Sequence, residues 1–148
     1  MKTLKIDIVS DVMCPWCIIG YKNLEKALSE LHGEINAEIS WKPFELNPNM
    51  PPEGQDLNEH LTQKYGLTPE QSKDNRQRLI DAGKDADFTF NFDDKRMIIN
   101  SFDCHRLLAW AATLNKQTEL KLALFKAHFS DLVNLNEQSA LLDIVASV

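Results

Sequence analysis

The chain has 148 residues, of which 43% are apolar and 26% charged, and its formal net charge is −6. This is the size and composition of one globular domain with a real core. The scattered acidic excess argues against a nucleic-acid partner, and no run approaches the ~18–20 apolar residues of a membrane span.

Charges at Lys5 and Asp7 interrupt the N-terminus before any apolar leader segment forms, so a cytoplasmic protein is expected. Residues 4–9 alternate and carry Val9 on the second face, which predicts a buried strand. Cys14-Pro15-Trp16-Cys17 follows, then an apolar-periodic helix over 18–31 that Gly33 stops. Residues 35–41 alternate cleanly and predict a second strand. A strand–helix–strand unit of this kind is most often parallel.

Pro43, Pro48, Pro51, Pro52 and Gly54 then break the pattern. The expected division is an N-terminal unit over 1–54 and a helical unit over 55–148. Helices are predicted over 56–65, stopping at Gly66, and from Thr68 as N-cap to Gly83 or Lys84. Residues 88–93 alternate phenylalanines and read as a loop whose aromatics plug a groove. Further helices are expected over 100–114, 117–132 and 136–147, the last capped by Asn136. Cys104, Leu107, Leu108, Ala111 and Leu114 share one face of the first, and Leu120, Leu124, Phe125, Phe129 and Leu132 one face of the second.

The chemistry concentrates at Cys14 and Cys17. Only a thiolate attacks a disulfide, and a helix start stabilises a thiolate through unpaired N–H groups and the helix dipole. Pro15 suits the first helical turn. Cys14 then falls at or beside the N-cap as nucleophile, with a pKa below that of free cysteine, and Cys17 lies one turn on to resolve a mixed disulfide. Half of a zinc site and a permanent disulfide are the competing readings of the same spacing. Zinc lacks further ligands, because Cys104 is alone and His32, His60, His105 and His128 have no paired spacing, so no metal is expected. A permanent disulfide needs an oxidising compartment. In a reducing cytosol the pair rests as a dithiol, which favours a reductase or isomerase. Met13 and Trp16 flank the thiols as apolar contacts for a substrate. Asn47, Asn100 and Arg106, with His105, are candidates for a substrate groove, against simpler roles as turn or solvated residues. Cys104 reads as an inert core thiol, Asp11 as a turn carboxylate or an unfavourable neighbour of Cys14.

Three segments carry a family resemblance: Asp7-Ile8-Val9-Ser10-Asp11-Val12-Met13-Cys14-Pro15-Trp16-Cys17, then Trp41-Lys42-Pro43-Phe44-Glu45-Leu46-Asn47-Pro48, then Asn100-Ser101-Phe102-Asp103-Cys104-His105-Arg106. The chain resembles the DsbA-like version of the thioredoxin fold, in its FrnE-like branch, which is related to 2-hydroxychromene-2-carboxylate isomerases. The resemblance implies an α/β thioredoxin-like unit with a large all-helical insertion. It implies Cys14 as nucleophile, Cys17 as resolving thiol, and Pro15 and Trp16 as tuners of the redox potential. The isomerase relatives carry serine at the nucleophile, whereas this chain has both cysteines. The family also has a cis-proline loop, a third and fourth strand and a final helix, which this sequence lacks. The C-terminal half of the sheet is therefore expected to be missing, and the chain to be truncated relative to the family.

The leading expectation is a thiol–disulfide oxidoreductase without a resident cofactor, acting on protein or peptide thiols, with glutathione as a possible redox partner. The alternatives are a glutathione-dependent isomerase or transferase and an inactive binding domain. A bare strand edge would favour homo-oligomers.

Overall fold

The computed structural model describes residues 1–93 and 95–148. Strand β1 (Lys2–Ser10) leads into helix α1 (Pro15–Glu30), and the chain returns as β2 (Ile35–Pro43). The two strands pair in parallel from Lys2 opposite Ile35 to Ser10 opposite Pro43. The strand–helix–strand unit is as the alternation foretold, and each strand runs slightly longer.

The sheet is covered on one side only. Ile8 and Ile39 pack against an aromatic cluster of Tyr21, Trp41, Phe90, Phe125 and Phe129. Val9 on the other face is 63% exposed and Leu4 45% exposed, so the expectation of a buried strand is corrected. Lys5 and Asp7 share that outer face with Val9, and no described layer covers it. β2 is sheltered along its outer edge by a side chain. The Gln117 amide accepts from the Trp41 N–H at 3.0 Å and donates to the Trp41 carbonyl at 3.1 Å, as a neighbouring strand would. The Trp41 indole N–H donates to Thr118 Oγ1 at 3.0 Å. β1 has no strand on its other edge among the described residues.

The second half is nearly all helix. It is not wholly so, because β3 (Gln55–Asp56) and β4 (Met97–Ile98) form a short antiparallel ladder that ties both ends of the first helical pair together. Two residues per strand are too few to leave an alternating signal. Helix α2 (Leu57–Tyr65) ends at Gly66 in the left-handed conformation. Helix α3 (Pro69–Asp85) starts with a full capping box between Thr68 and Gln71. Helix α3 ends at Asp85, within two residues of the expected Gly83 or Lys84, and Gly83 has another role. It is a point of close approach, where an added Cβ would lie 2.5 Å from the Phe88 carbonyl oxygen and 2.6 Å from the Phe90 ring. The 88–93 segment crosses there as a loop and buries Phe90, whose ring centroid lies 5.4 Å from that of Phe129.

Helix α4 (Phe102–Ala112) is shorter than the periodicity implied. The chain reverses at Asn115, where φ is positive, so Leu114 leaves the apolar face and is exposed. Helix α5 (Gln117–Phe125) gives way to a π-helical turn over Lys126–Ser130, closed by the Asp131 N–H on the Lys126 carbonyl at 2.9 Å. The extra residue in that turn lets Ala127, His128 and Phe129 all point inward. Helix α6 (Gln138–Ala146) begins after Glu137. Asn136 does not cap it, since its side-chain amide reaches the Pro52 carbonyl instead.

A second core cluster joins Val12 and Met13 to Cys104, Leu108, Leu120, Leu124 and Leu135. Packing is therefore continuous across residue 54, the expected division. Each ~25 Å² of apolar surface withdrawn there contributes roughly 0.6 kcal/mol, so this shared core is a principal bond between the two halves.

Candidate active site

Cys14 is the N-cap of α1, in extended conformation, and Pro15 occupies the first helical turn. The turn before it is held by Asp11, whose carbonyl accepts from the Cys14 N–H at 3.1 Å. Cys17 follows one turn on, its N–H on the Cys14 carbonyl at 3.2 Å. Both thiols are unbridged and half-buried. Cys14 lines a cavity of about 430 Å³ with Met13, Pro15, Trp16 and Asn47. Cys17 turns instead toward the aromatic cluster.

The two sulfurs share one proton. Cys17 is held down to about 6, first by the Cys14 thiol beside it, then by the Asp11 backbone and the Lys121 charge, against burial. Cys14 is pushed up, by the Cys17 sulfur beside it, by burial, and by the charge that Cys17 then carries. The pair as a whole loses its first proton readily, and a second ionisation is opposed because it would set two negative sulfurs side by side. The helix start favours a thiolate at either sulfur and cannot alone choose between them.

Asp11 is buried beneath the thiols. Its carboxylate accepts from the Leu46 N–H at 2.8 Å and the Met13 N–H at 3.3 Å. His105 Nε2 lies 3.4 Å from Asp11 Oδ1 and 3.1 Å from the Phe44 carbonyl, so this nitrogen bears the hydrogen. Burial raises the Asp11 pKa, but the hydrogen bonds from His105, Leu46 and Ser101 outweigh it and leave the carboxyl below its ordinary range. His105 is thus not a solvated helix residue; it locks the turn that presents Cys14.

Lys121 went unnoticed in the sequence. It is 1% exposed, with its ammonium 5.2 Å from the Trp41 ring centroid and 5.3 Å from that of Phe125. Burial lowers its pKa to about 8, while Asp11, Cys17, Cys104 and Cys14 hold it up. Its signal was present: Gln117, Lys121, Leu124 and Phe125 fall on one helical face, so a lysine interrupts an apolar stripe. Arg96 had no such signal, standing among charged residues after Asp93. It too lines the Cys14 cavity.

Of the groove candidates, Met13, Trp16 and Asn47 border the Cys14 cavity. Asn47 is fixed by Lys64, whose ammonium donates to its Oδ1 at 2.7 Å. Asn100 and Arg106 line a different concavity with Phe102 and Trp110. There Asn100 is structural, its amide donating to the Met50 carbonyl at 3.0 Å, and Arg106 is exposed beside Asp103. The structure does not bring either to the thiols. Cys104 is buried and pushed up to about 12, first by burial, then by Asp11. Among the described residues no group of three or more histidines, cysteines and carboxylates stands together as a metal site. No helix there is long and apolar enough to cross a membrane.

The model of the DSBA-like thioredoxin domain family matches residues 5–148, and the chain belongs to that family. It is similar to a probable DsbA oxidoreductase from Streptomyces coelicolor, with 28% identity and a TM-score of 0.87, over 97% of this chain and 62% of that one. The fold also matches the cytosolic disulfide reductase DsbM from Pseudomonas aeruginosa, with 16% identity and a TM-score of 0.57, over 97% of this chain and 63% of that one. Among curated proteins, the uncharacterized protein YwbO of Bacillus subtilis is 35% identical over 57 residues, which are 38% of this chain and 26% of YwbO. The chain thus spans less than two thirds of the length of these relatives.

Proposed function

We propose that the chain is a thiol–disulfide oxidoreductase, a reductase or isomerase, with Cys14 as nucleophile and Cys17 as resolving thiol. The observation that carries this reading is the division of labour between the sulfurs. Cys14, at the helix N-cap, lines an open cavity, and Cys17, one turn on, packs against the aromatic cluster of the interior. Cys14 gives up its proton, the neighbouring Cys17 sulfur being its nearest acceptor within the pair, and the Cys14 thiolate attacks the nearer sulfur of a substrate disulfide. The substrate S–S bond breaks, a Cys14 mixed disulfide forms, and the first thiolate leaves and takes up a proton. Cys17 then gives up its proton and attacks the Cys14 sulfur. The second product thiolate leaves, two electrons have moved to the substrate, and the protein holds a Cys14–Cys17 disulfide. A thiol such as glutathione restores the dithiol, and no resident cofactor is required. The substrates are protein, peptide or small-molecule disulfides in a reducing compartment, the cytoplasm. Pro15 and Trp16, between the sulfurs, set the potential of the pair.

The test is turnover of insulin or glutathione disulfide by the wild type and by Cys17→Ser. A disulfide cycle stalls in Cys17→Ser as a Cys14 mixed disulfide visible by mass. Wild-type protein without disulfide turnover removes the proposal. Undiminished turnover by Cys17→Ser supports glutathione-dependent isomerase or transferase chemistry instead.

A further inference from the structure

The cavity at Cys14 carries a charge pattern opposite to that of the protein. The chain is acidic overall, with a net charge of −6, yet among the described residues no aspartate or glutamate lines this cavity, and Arg76 and Arg96 both do. The rest of the wall is mainly apolar, including Leu57, Leu61, Leu79, Phe92 and Ile98.

Arg96 is the more informative of the two. It is 8% exposed, and its guanidinium is held between the rings of Phe92 and Phe129 at 4.9 and 4.8 Å from their centroids. Its Nη2 donates to His128 Nε2 at 3.4 Å, a neutral partner. Its Nε meets no acceptor, and no carboxylate forms an ion pair with it, among the described residues. Burial lowers its pKa to about 10, with Asp93 as the opposing influence, so it remains charged at neutral pH. A buried cation that no described carboxylate touches directly, Asp93 acting only from a distance, is costly unless a ligand approaches it. The aromatic faces offset part of that cost and fix the position of the charge.

The volume limits what can enter. About 430 Å³ is the size of a small-molecule site. From this we infer that the cavity admits a small, largely apolar thiol or disulfide bearing an anionic group, with its sulfur at Cys14 and its anion on Arg96. The inference rests on the disulfide-exchange reading above and narrows its substrate class. The step is the same exchange: the substrate S–S bond breaks, the Cys14 mixed disulfide forms, and an anionic aryl or alkyl thiolate leaves. Cys17 then displaces the second thiolate, and the Cys14–Cys17 dithiol supplies both electrons.

The probes are para-dithiodibenzoate and its neutral bis-amide, which share their sulfur chemistry and shape. Single-turnover rates with reduced protein are taken at about 1 M salt, where long-range attraction is screened within ~3 Å. The wild type should prefer the dianion roughly tenfold or more, the factor that a charge-assisted hydrogen bond supplies. In Arg96→Met the ratio should fall toward one, and in Arg96→Lys it should be partly kept. Equal rates in the wild type overturn the inference. So does an unchanged ratio in folded Arg96→Met with both rates lowered, since Arg96 would then serve the thiolate. Should Arg96→Met not fold, protection of wild-type Cys14 from iodoacetamide decides the matter. Phenylbutyrate should protect and phenylbutyramide should not; equal protection, or none, overturns the site. If neither disulfide reacts with the wild type, the oxidoreductase reading falls, while the protection measurement still judges the anion site on its own.

Discussion

His128 makes the fold sensitive to mild acid. It lies buried in the π-helical turn, 3.4 Å from Arg96 Nη2, with its ring centroid 4.6 Å from that of Phe129. Burial first, and the Arg96 charge second, press its pKa down to about 3, while Asp11 pulls weakly the other way. An unfolded chain would hold the same imidazole near its ordinary value of about 6.5. Between those values the unfolded state binds a proton that the folded state refuses. The contribution to stability is therefore complete above about pH 6.5 and is lost as the pH falls toward about 3. Each pH unit in that window costs about 1.4 kcal/mol, so a fall from pH 7 to pH 5 removes roughly 2 kcal/mol. That is a large share of the ~5–15 kcal/mol of an ordinary domain. Urea unfolding at both pH values should be compared between the wild type and His128→Gln, whose amide oxygen can still accept from Arg96. Asp11 and His60 titrate in both proteins, so their contributions cancel in the difference. The wild type should lose about 2 kcal/mol more than the variant over this interval. Equal losses would show that His128 is not held neutral by the fold, and the reasoning from burial and Arg96 would fail with it.

Lys121→Met keeps most of the buried stem but removes the charge beside the thiols, so the first apparent pKa of the cysteine pair should rise by about one unit in thiolate absorbance. An unchanged titration would mean that the ammonium does not act on the sulfurs. Gly83→Ala should destabilise by about 1–3 kcal/mol, because the new Cβ meets the Phe88 carbonyl and the Phe90 ring. The opposite sign, a gain of about 1 kcal/mol, is what helix propensity alone would give, and denaturant midpoints separate the two. Replacing Pro15 or Trp16 should shift the equilibrium with glutathione, ~30 mV for each ~1.4 kcal/mol; several replacements without a shift would remove that dipeptide from the tuning role. We also propose that this 148-residue chain self-associates through the unpaired edge of β1 and the open face carrying Val9. A monomer by sedimentation at ~50 µM would refute it.

Local signals carried the frame of the fold, and the reason differs by element. The β1–α1–β2 unit was legible because alternation, Pro15 and Gly33 are signals within a few residues. Thr68, Pro69 and Gly66 placed the ends of α2 and α3 for the same reason. What failed depended on a distant partner. The end of α3 near Gly83 or Lys84 was legible, but nothing in the neighbourhood of Gly83 shows that Phe88 and Phe90 cross there. Val9 looked buried because apolar character does not reveal whether a layer lies above it. Asn136 has the right type for a cap, yet the Pro52 carbonyl claims its side chain. At the site, the thiols were legible from their spacing, whereas Arg96 and His105 carried nothing locally that set them apart from surface residues.

The same division explains how the site is built. The sulfurs belong to the strand–helix–strand half, but part of what governs them comes from the other half. His105 on α4 fixes Asp11, and Lys121 on α5 sets a cation against Trp41 and Phe125 of the aromatic cluster that Cys17 joins. A buried Asp11 carboxylate by itself would oppose any thiolate beside it. Lys121 offsets that charge, and the shared thiol proton limits the pair to one negative sulfur at a time. Each buried charge is costly alone and tolerable only with the others in place. Disturbing any one of them should therefore shift the titration of the cysteine pair as well as the stability of the fold. A lysine on the apolar stripe of α5, which hydrophobic patterning treats as an error, is thus matched to the chemistry at the start of α1.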